Sequence, residues 1–340
     1  MPECPPCAIF KMIMSVPELR TCRKISIILW FVFWLGFLSG AQNGLAAGQE
    51  KPQKIQQPRA AYNVTVNAIT IAVTVQDKKG RYVNDLEEKD FIVYENGERK
   101  TINYFQHDQS APLSLTVLLD VSGSMAMEDK FEDCRRALQV LAEKILSPRD
   151  ELALLVFADG EVEVAARHQV DRSAFLEALN NEKAYGKTAL NDAVAVSPQY
   201  AVRARNEKRA LILITDGIEN DSQSSADQAL EIARRVDVPI YVIGYRIPRA
   251  EEILARHRRR AGLTTIGIVE TLNLFAGATG GQAFFLDDLE SLLATLYEIK
   301  KEQSHQYIIG YTSYKEDDRY RRILVTTPRG NYRIRTRQGY

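Results

Sequence analysis

The segment Leu113-Ser114-Leu115-Thr116-Val117-Leu118-Leu119-Asp120-Val121-Ser122-Gly123-Ser124-Met125 decides the fold of this 340-residue chain. It begins as an apolar run typical of a buried strand. It ends in oxygen-bearing side chains at alternate positions, Asp120, Ser122 and Ser124. Open parallel sheets bind ligands at the carboxyl ends of their strands, and such oxygens suit Mg²⁺ or a similar hard ion. Taken alone, the segment also fits a turn that caps the following helix.

Two further segments have a similar form. The apolar run Ala210–Thr215 ends in Asp216-Gly217, and the glycine turn Gly186-Lys187-Thr188 precedes a helical pattern. In order, spacing and residue type, the three segments resemble a von Willebrand factor A domain with a metal-ion-dependent adhesion site. The resemblance implies five ligand positions: Ser122, Ser124 and Thr188 bind the ion directly, and Asp120 and Asp216 hold its waters.

The expected chemistry of such a site is the capture of an acid. Mg²⁺ takes about six oxygens near ~2.0–2.1 Å and keeps several waters where the protein offers few ligands. A divalent ion ringed by hydroxyls keeps excess positive charge and has a position for an outside oxygen. We therefore expect a protein partner that presents an Asp or Glu carboxylate. The sequence does not distinguish Mg²⁺ from Mn²⁺ or Ca²⁺.

The middle of the chain, residues 112–304, alternates strand and helix patterns, which predicts an α/β fold with a doubly wound, mostly parallel sheet. Val162–Ala166 follows the tight turn Asp159-Gly160 and is expected to be an antiparallel edge strand. The other strands are expected at Leu113–Leu119, Leu152–Phe157, Ala210–Thr215, Ile240–Tyr245 and Ala283–Phe285. Helices are expected at Lys130–Leu146, Ala174–Asn180, Leu190–Arg203, Ala226–Val236, Thr271–Ala278 and Leu289–Lys301.

The two ends, residues 62–108 and 305–340, read as short strands. Asn96-Gly97 predicts a hairpin between Phe91–Tyr94 and Lys100–Phe105. Each end is too small to bury a core alone, so we expect both to build one β-sandwich-like domain around the middle part. Two unrelated β appendages are the alternative. The flanking sequences also resemble a bacterial group of von Willebrand factor A-related proteins that is abundant in Acidobacteria.

The amino-terminal region carries an apolar stretch, Ile25–Leu38, after a basic leader. Its length is short for a membrane span and typical of a signal peptide. We expect residues 1–41 to be a signal peptide, residues 42–61 a linker, and the protein to be exported to the periplasm or secreted. The alternative is a membrane anchor at residues 25–41. Cys134, in step with an apolar helical face, is expected to be a buried structural thiol.

Basic residues near the predicted site are candidates for steering an acidic partner. They are Lys187, Arg258, Arg259 and Arg260. The alternative is that Lys187 is an exposed lysine in a turn and that the arginines lie on a solvated helix. The formal net charge of zero gives no indication of nucleic-acid binding.

Catalysis is not expected. A haloalkanoate-dehalogenase-type phosphatase needs a second acid where this chain has Ser122, and no Gly-x-Ser-x-Gly or phosphate-binding loop occurs. A subunit of an intracellular ATPase machine is disfavoured by the export signal. The sequence therefore predicts an exported, metal-dependent protein-binding module for adhesion or scaffolding. The alternatives are a structural envelope protein without metal-mediated binding and a metal-dependent hydrolase.

Overall fold

The computed structural model describes residues 65–248, 265–315, 317 and 319–340. Within these ranges the strands are β1 (Thr65–Gln76), β2 (Ile92–Glu95), β3 (Glu98–Lys100), β4 (Ile102–Gln106), β5 (Leu113–Asp120), β6 (Glu151–Ala158), β7 (Glu161–Gln169), β8 (Lys208–Thr215), β9 (Ile240–Tyr245), β10 (Ala283–Leu286), β11 (Tyr307–Lys315), β12 (Ile323–Thr326) and β13 (Arg333–Arg335). The helices are α1 (Lys130–Val140), α2 (Ser173–Asn181), α3 (Leu190–Ala201), α4 (Ala226–Ala233), α5 (Thr265–Thr279) and α6 (Leu289–Ser304).

A six-stranded sheet with the order β10-β9-β8-β5-β6-β7 forms the centre of the α/β part. Neighbouring strands are parallel except β6 and β7, which form an antiparallel pair. Apart from the half-buried Arg209, the central strands are buried along their whole length, so both faces of the sheet need a covering layer. One hydrophobic cluster includes α1, α2 and α6, and a second includes α3, α4 and α5. The predicted doubly wound sheet and its antiparallel edge strand are confirmed.

The long helix predicted over Lys130–Leu146 consists of two pieces. α1 ends at Val140, and a single π turn, Leu141–Ile145, continues it. The apolar face packs into the core as its spacing predicts, with Cys134 and Leu138 fully buried. Burial strongly raises the pKa of the free Cys134 thiol, which agrees with a structural role.

The two chain ends build two antiparallel sheets together. One has the order β13-β1-β11-β4 and the other the order β12-β2-β3, so each combines strands from both sides of the α/β part. β1 and β11 pair over nine consecutive residues. The two sheets share one hydrophobic cluster, which includes Ile71, Val93, Ile309 and Val325. The expected sandwich-like arrangement is therefore confirmed, and two unrelated β appendages are excluded.

The predicted strand Lys100–Phe105 is wrong in one respect. The Asn96-Gly97 hairpin is present, with both turn residues at positive φ and β2 paired with β3 across it. At Thr101 the chain leaves this sheet, and β4 pairs with β11 in the other one. Strands that change sheet in this way form the corners of a sandwich. The residue pattern runs on without a break, so it does not reveal the change of sheet.

The β-sandwich part contacts the α/β part near the amino ends of the parallel strands. The Gln338 backbone N–H donates to the Ala278 carbonyl at 3.2 Å, and Arg337 Nε lies 3.4 Å from Asp237 Oδ1. Asp237 precedes β9 and Ala278 lies at the end of α5, just before β10. The carboxyl ends of β5 and β8, where the candidate ligands lie, are at the other edge of the sheet.

The glycine turn before β10 lies directly against the start of β9, and Gly281→Ala tests this close approach. A Cβ at Gly281 would lie 2.0 Å from the Ile240 carbonyl oxygen, so the backbone would have to move. We expect Gly281→Ala to lower the free energy of unfolding by about 2–3 kcal/mol, measured by urea denaturation. Gly277→Ala is the matched control: its Cβ would meet nothing within 4 Å on an exposed part of α5. It should stabilise the protein by up to about 1 kcal/mol. Equal effects of the two substitutions would contradict this explanation.

No helix in the described ranges is long and apolar enough to cross a membrane. The predicted signal peptide and linker, residues 1–61, lie outside those ranges, as do Arg258, Arg259 and Arg260. The predictions about export and about steering by these arginines therefore stay predictions.

Candidate functional site

Three loops meet at the carboxyl edge of the parallel sheet. The first follows β5 and the second follows β8, which are adjacent parallel strands. The third lies between α2 and α3, and its Gly186 carbonyl accepts a 2.9 Å hydrogen bond from the Gly123 backbone N–H. The Tyr185 N–H donates to the Val121 carbonyl at 2.7 Å. These bonds place the predicted ligand segments side by side.

The loop after β5 is organised by the Asp120 carboxylate. Its Oδ1 accepts the Ser122 backbone N–H at 2.9 Å, and its Oδ2 accepts the Thr215 hydroxyl at 2.6 Å. The Ser122 and Ser124 hydroxyls lie 3.2 Å apart, within hydrogen-bonding distance. Asp120 and Ser122 are fully buried, whereas Ser124 is half-buried. The alternation of polar residues thus brings two hydroxyls together above a buried carboxylate.

The loop after β8 holds a second buried carboxylate, Asp216. Its Oδ2 accepts a 2.9 Å hydrogen bond from Lys130 Nζ, and its Oδ1 accepts the Ile218 N–H at 3.2 Å. Lys130 is itself only 3% exposed. The preceding residue, Thr215, ties this loop to the first acid, because its hydroxyl donates to Asp120 and accepts the Gly217 N–H at 2.9 Å. The loop that carries Asp216 is therefore fastened to Asp120.

Thr188 lies on the third loop and is 1% exposed. Its backbone N–H donates to Asn220 Oδ1 at 3.0 Å, and its carbonyl accepts the N–H groups of Asn220 and Asp221. This pairing fastens the Thr188 loop to the loop that follows Asp216. Gly186 has φ +75°, and a Cβ there would lie 2.4 Å from the Asp159 carboxylate, so only glycine fits the turn.

Two buried carboxyl groups, those of Asp120 and Asp216, dominate the electrostatics of the site. Burial and the neighbouring Asp216 charge raise the pKa of Asp120 to about 7, although the hydrogen bonds from Ser122 and Thr215 oppose the shift. Desolvation and a like charge both disfavour the ionised form of a carboxyl group. A divalent cation would favour that ionised form, because it supplies the positive charge that the pair lacks.

The five predicted positions offer only hard oxygens, three hydroxyls and two carboxylates. This donor set fits Mg²⁺, Mn²⁺ or Ca²⁺ better than a soft metal. The described part of the chain contains no cluster of three or more His, Cys, Asp or Glu side chains suited to a metal ion. A cation held by the described residues at this edge would therefore use the hydroxyl groups as well as the two acids.

Lys187, predicted to steer a partner, is engaged with a neighbouring acid. Its Nζ lies 2.8 Å from Asp221 Oδ1, and its side chain remains 62% exposed. Its backbone N–H donates to Asp159 Oδ1 at 2.7 Å. The pairing reduces the free positive charge at this position, and a steering role for Lys187 stays a prediction.

Sequence reasoning missed Lys130, Thr215 and Asn220 as parts of the site. Lys130 was predicted only as the first residue of a helix. Its spacing to Cys134 and Ala137 nevertheless places it on the apolar face of α1, where a lysine needs a buried anion. Thr215 is the polar residue that ends an apolar run, and it directly precedes Asp216. This position also indicated that it belongs to the site.

Residues 114–299 match the von Willebrand factor type A domain, and the chain belongs to this family. Proteins with this domain typically mediate protein interactions and are generally not catalytic. An uncharacterized protein of Borreliella burgdorferi is 24% identical over 229 residues, which cover 64% of this chain and 66% of that protein. This chain thus spans just under two thirds of that relative.

Two solved structures are similar in fold. A von Willebrand factor type A protein from Catenulispora acidiphila is 14% identical, with 74% of each chain covered and a TM-score of 0.48. Proximal thread matrix protein 1 from the mussel byssus, with a zinc-occupied MIDAS motif, is 16% identical with a TM-score of 0.45. The match covers 62% of this chain and 50% of that protein.

Proposed function

We propose that this protein is an exported module that binds a protein partner through a divalent cation. Asp120, Ser122, Ser124, Thr188 and Asp216 would hold the cation. When bound, the ion would offer a Lewis-acidic position to an Asp or Glu carboxylate of the partner. The role is adhesion or scaffolding. The protein would belong to the bacterial group of von Willebrand factor A-related proteins, abundant in Acidobacteria, that the flanking sequences resemble.

The observation that carries the proposal is the pairing of two buried acids with two adjacent hydroxyls at one sheet edge. Asp120 and Asp216 are both 0% exposed, and within the part of the chain that the structure describes Lys130 is the cation that pairs with them. Buried acids without matching cations are costly, so this arrangement is suited to a second positive charge. The sandwich part packs at the opposite edge of the sheet, through Gln338 and Arg337.

The candidate ligands would have different roles at the cation site. The Ser122 and Ser124 hydroxyls contact each other and would supply two oxygens, while Asp120 fixes their loop through the Ser122 N–H. Thr188 belongs to a loop that Asn220 holds through the Thr188 backbone N–H, and would supply the third hydroxyl. None of these roles needs a nucleophile or a proton carrier, and we propose binding without catalysis.

Titration of the purified protein with Mg²⁺, Mn²⁺ and Ca²⁺ by calorimetry tests the proposal. Ser124→Ala removes one half-buried hydroxyl and should weaken binding at least about tenfold with little loss of stability. Ser304→Ala is the matched control, because its hydroxyl bonds the Lys300 carbonyl at the far end of α6. It should bind the ion like the wild type. Absence of divalent binding to the wild-type protein, with acetate present as a carboxylate, would overturn the proposal.

Capture of partners from an envelope extract tests whether the protein binds a partner through the cation. The wild-type bait should retain a partner in Mg²⁺ and release it in EDTA, and the Ser124→Ala bait should retain less. A structural role without metal is the competing function, because Lys130 and the serine pair already supply hydrogen bonds to the site. Retention that is unchanged by EDTA would favour that structural role.

A further inference from the structure

Lys130 is a buried cation placed directly against a candidate ligand. We infer that Lys130 acts as a built-in counter-charge, which weakens binding of the divalent cation alone and makes it depend on an external carboxylate. This inference rests on the proposed function, because it concerns how the same site binds its ion. It goes further in assigning a new residue and a thermodynamic coupling between ion and partner.

Among the described residues, Lys130 has one anionic partner. Its ammonium lies 2.9 Å from Asp216 Oδ2, and the two side chains are 4% and 0% exposed. Asp133, the other buried acid near this end of α1, is paired with Arg246 at 2.9 Å and accepts the Tyr245 hydroxyl at 2.8 Å. The charge of Lys130 is therefore directed to the Asp120–Asp216 pair.

The backbone before α1 holds Lys130 in this place. Glu128 and Asp129 both have left-handed conformations, with φ of 58° and 56°, which non-glycine residues rarely adopt in succession. The Glu128 carbonyl accepts a hydrogen bond from Arg246, which also donates to the Asp287 carbonyl. This unfavourable turn persists because neighbouring elements fix it, and it delivers the lysine to the site.

Counting the buried charges shows what the lysine does. With both acids ionised, Asp120, Asp216 and Lys130 together carry a net charge of −1, from two negative charges and one positive charge. A divalent cation would bring the site to +1, and one carboxylate from a partner would bring it to zero. Without Lys130 the loaded site would already be neutral. In a buried site a net charge is costly, so Lys130 favours joint binding of ion and carboxylate.

Calorimetric titration with Mg²⁺ at pH 8 and constant ionic strength tests this coupling, with acetate as the probe carboxylate and chloride as the reference anion. Wild-type protein should bind Mg²⁺ more tightly as acetate replaces chloride. Lys130→Met and Lys130→Gln should bind Mg²⁺ alone on the order of tenfold or more tightly. The dependence on acetate should become smaller in both variants. Lys130→Gln retains a donor for Asp216 and therefore covers the case in which Lys130→Met fails to fold.

Lys208 provides the matched control. It is also a buried lysine at 3% exposure, but its Nζ donates to the carbonyls of Asp108 and Ser304. It lies at the start of β8, roughly 26 Å along the strand from Asp216. Lys208→Gln should lower the melting temperature and leave both the Mg²⁺ affinity and the acetate dependence unchanged.

The melting temperature gives a second readout. In EDTA, both Lys130 variants should melt below the wild type, because Asp216 loses its counter-charge, and Mg²⁺ should raise their melting temperatures more than that of the wild type. Equal Mg²⁺ affinities and equal acetate effects in wild type and Lys130→Gln would overturn the inference while leaving the proposed function intact. Failure of wild-type protein to bind Mg²⁺ even in acetate would overturn both.

Discussion

Replacing Glu302 by alanine is expected to lower the free energy of unfolding by about 3–5 kcal/mol, because it leaves the partly buried Arg335 without its ion-pair partner and the buried Tyr241 hydroxyl without its acceptor. Glu302 is 4% exposed at the end of α6. Its carboxylate forms an ion pair with Arg335 of β13 and accepts the Tyr241 hydroxyl. It also accepts the Thr74 hydroxyl of β1 at 3.2 Å. One carboxylate therefore joins the α/β part to two neighbouring strands of the sandwich part, which come from opposite ends of the chain.

The pKa of Tyr241 shows how strongly the negative charge of Glu302 acts on its surroundings. Burial and the negative charge of Glu302 raise the pKa of Tyr241 far above its ordinary value, so its hydroxyl stays protonated and donates. Gln303 Nε2 donates to the same hydroxyl at 2.8 Å. Removal of Glu302 would leave Tyr241 and Arg335 desolvated without the acceptor that compensates them.

Urea denaturation followed by circular dichroism measures this effect, with Glu298→Ala as the matched control on the same helix. Glu298 has a half-exposed side chain and pairs with Lys301 at 3.3 Å, so its removal should change the free energy of unfolding by less than about 0.5 kcal/mol. Glu302→Gln should fall between the two, because it keeps an acceptor without the charge. A loss below about 1 kcal/mol for Glu302→Ala would show that the junction between the two parts does not depend on this carboxylate.

Strands and helices of the α/β part were predictable because their signal is local. The run Leu113–Leu119 and the run Ala210–Thr215 contain enough apolar residues to require burial on both faces. The amphipathic spacing over Leu289–Lys301 predicted helix α6. Even the antiparallel edge strand followed from the two-residue turn Asp159-Gly160, since a parallel crossover needs many more residues.

What the sequence did not reveal depends on contacts between distant residues. The bend at Thr101 depends on which sheet offers a partner, and pairing of β4 with β11 joins residues about 200 positions apart. Likewise, Lys130 acquires its role only when the loop after β8 brings Asp216 to it. The types of the candidate ligands were predictable from spacing, whereas the counter-charge and the Thr215 bridge required the fold.

Removing the Asp120 charge should make the metal-free protein more stable at neutral and alkaline pH. The folded protein raises the pKa of Asp120 from its ordinary value of 3.8 to about 7. Between about pH 4 and pH 7 the unfolded chain has lost this proton, whereas the folded protein keeps it. The unfolded state then binds fewer protons, so the free energy of unfolding decreases as pH rises through this window. From this group alone the decrease reaches up to about 4 kcal/mol above pH 7.

Asp120→Asn isolates the effect, because other carboxylates of the protein titrate in the same range and are common to both chains. Asparagine keeps the oxygen that accepts the Ser122 N–H, and the Thr215 hydroxyl can reorient to accept from the new amide. In EDTA, the two proteins should have similar free energies of unfolding near pH 4, and the variant should become progressively more stable than the wild type up to pH 8. Urea denaturation at several pH values measures the difference.

Addition of Mg²⁺ should then reverse the order at pH 8 if the proposed cation binds, because the wild-type carboxylate gains a counter-charge and the asparagine does not. A pH-independent difference between the two proteins in EDTA would contradict the raised pKa of Asp120. A pH-dependent difference that Mg²⁺ leaves unchanged would instead support the raised pKa of Asp120 and contradict the proposed binding of a cation. The same pair of proteins thus separates what burial does to Asp120 from what an ion does.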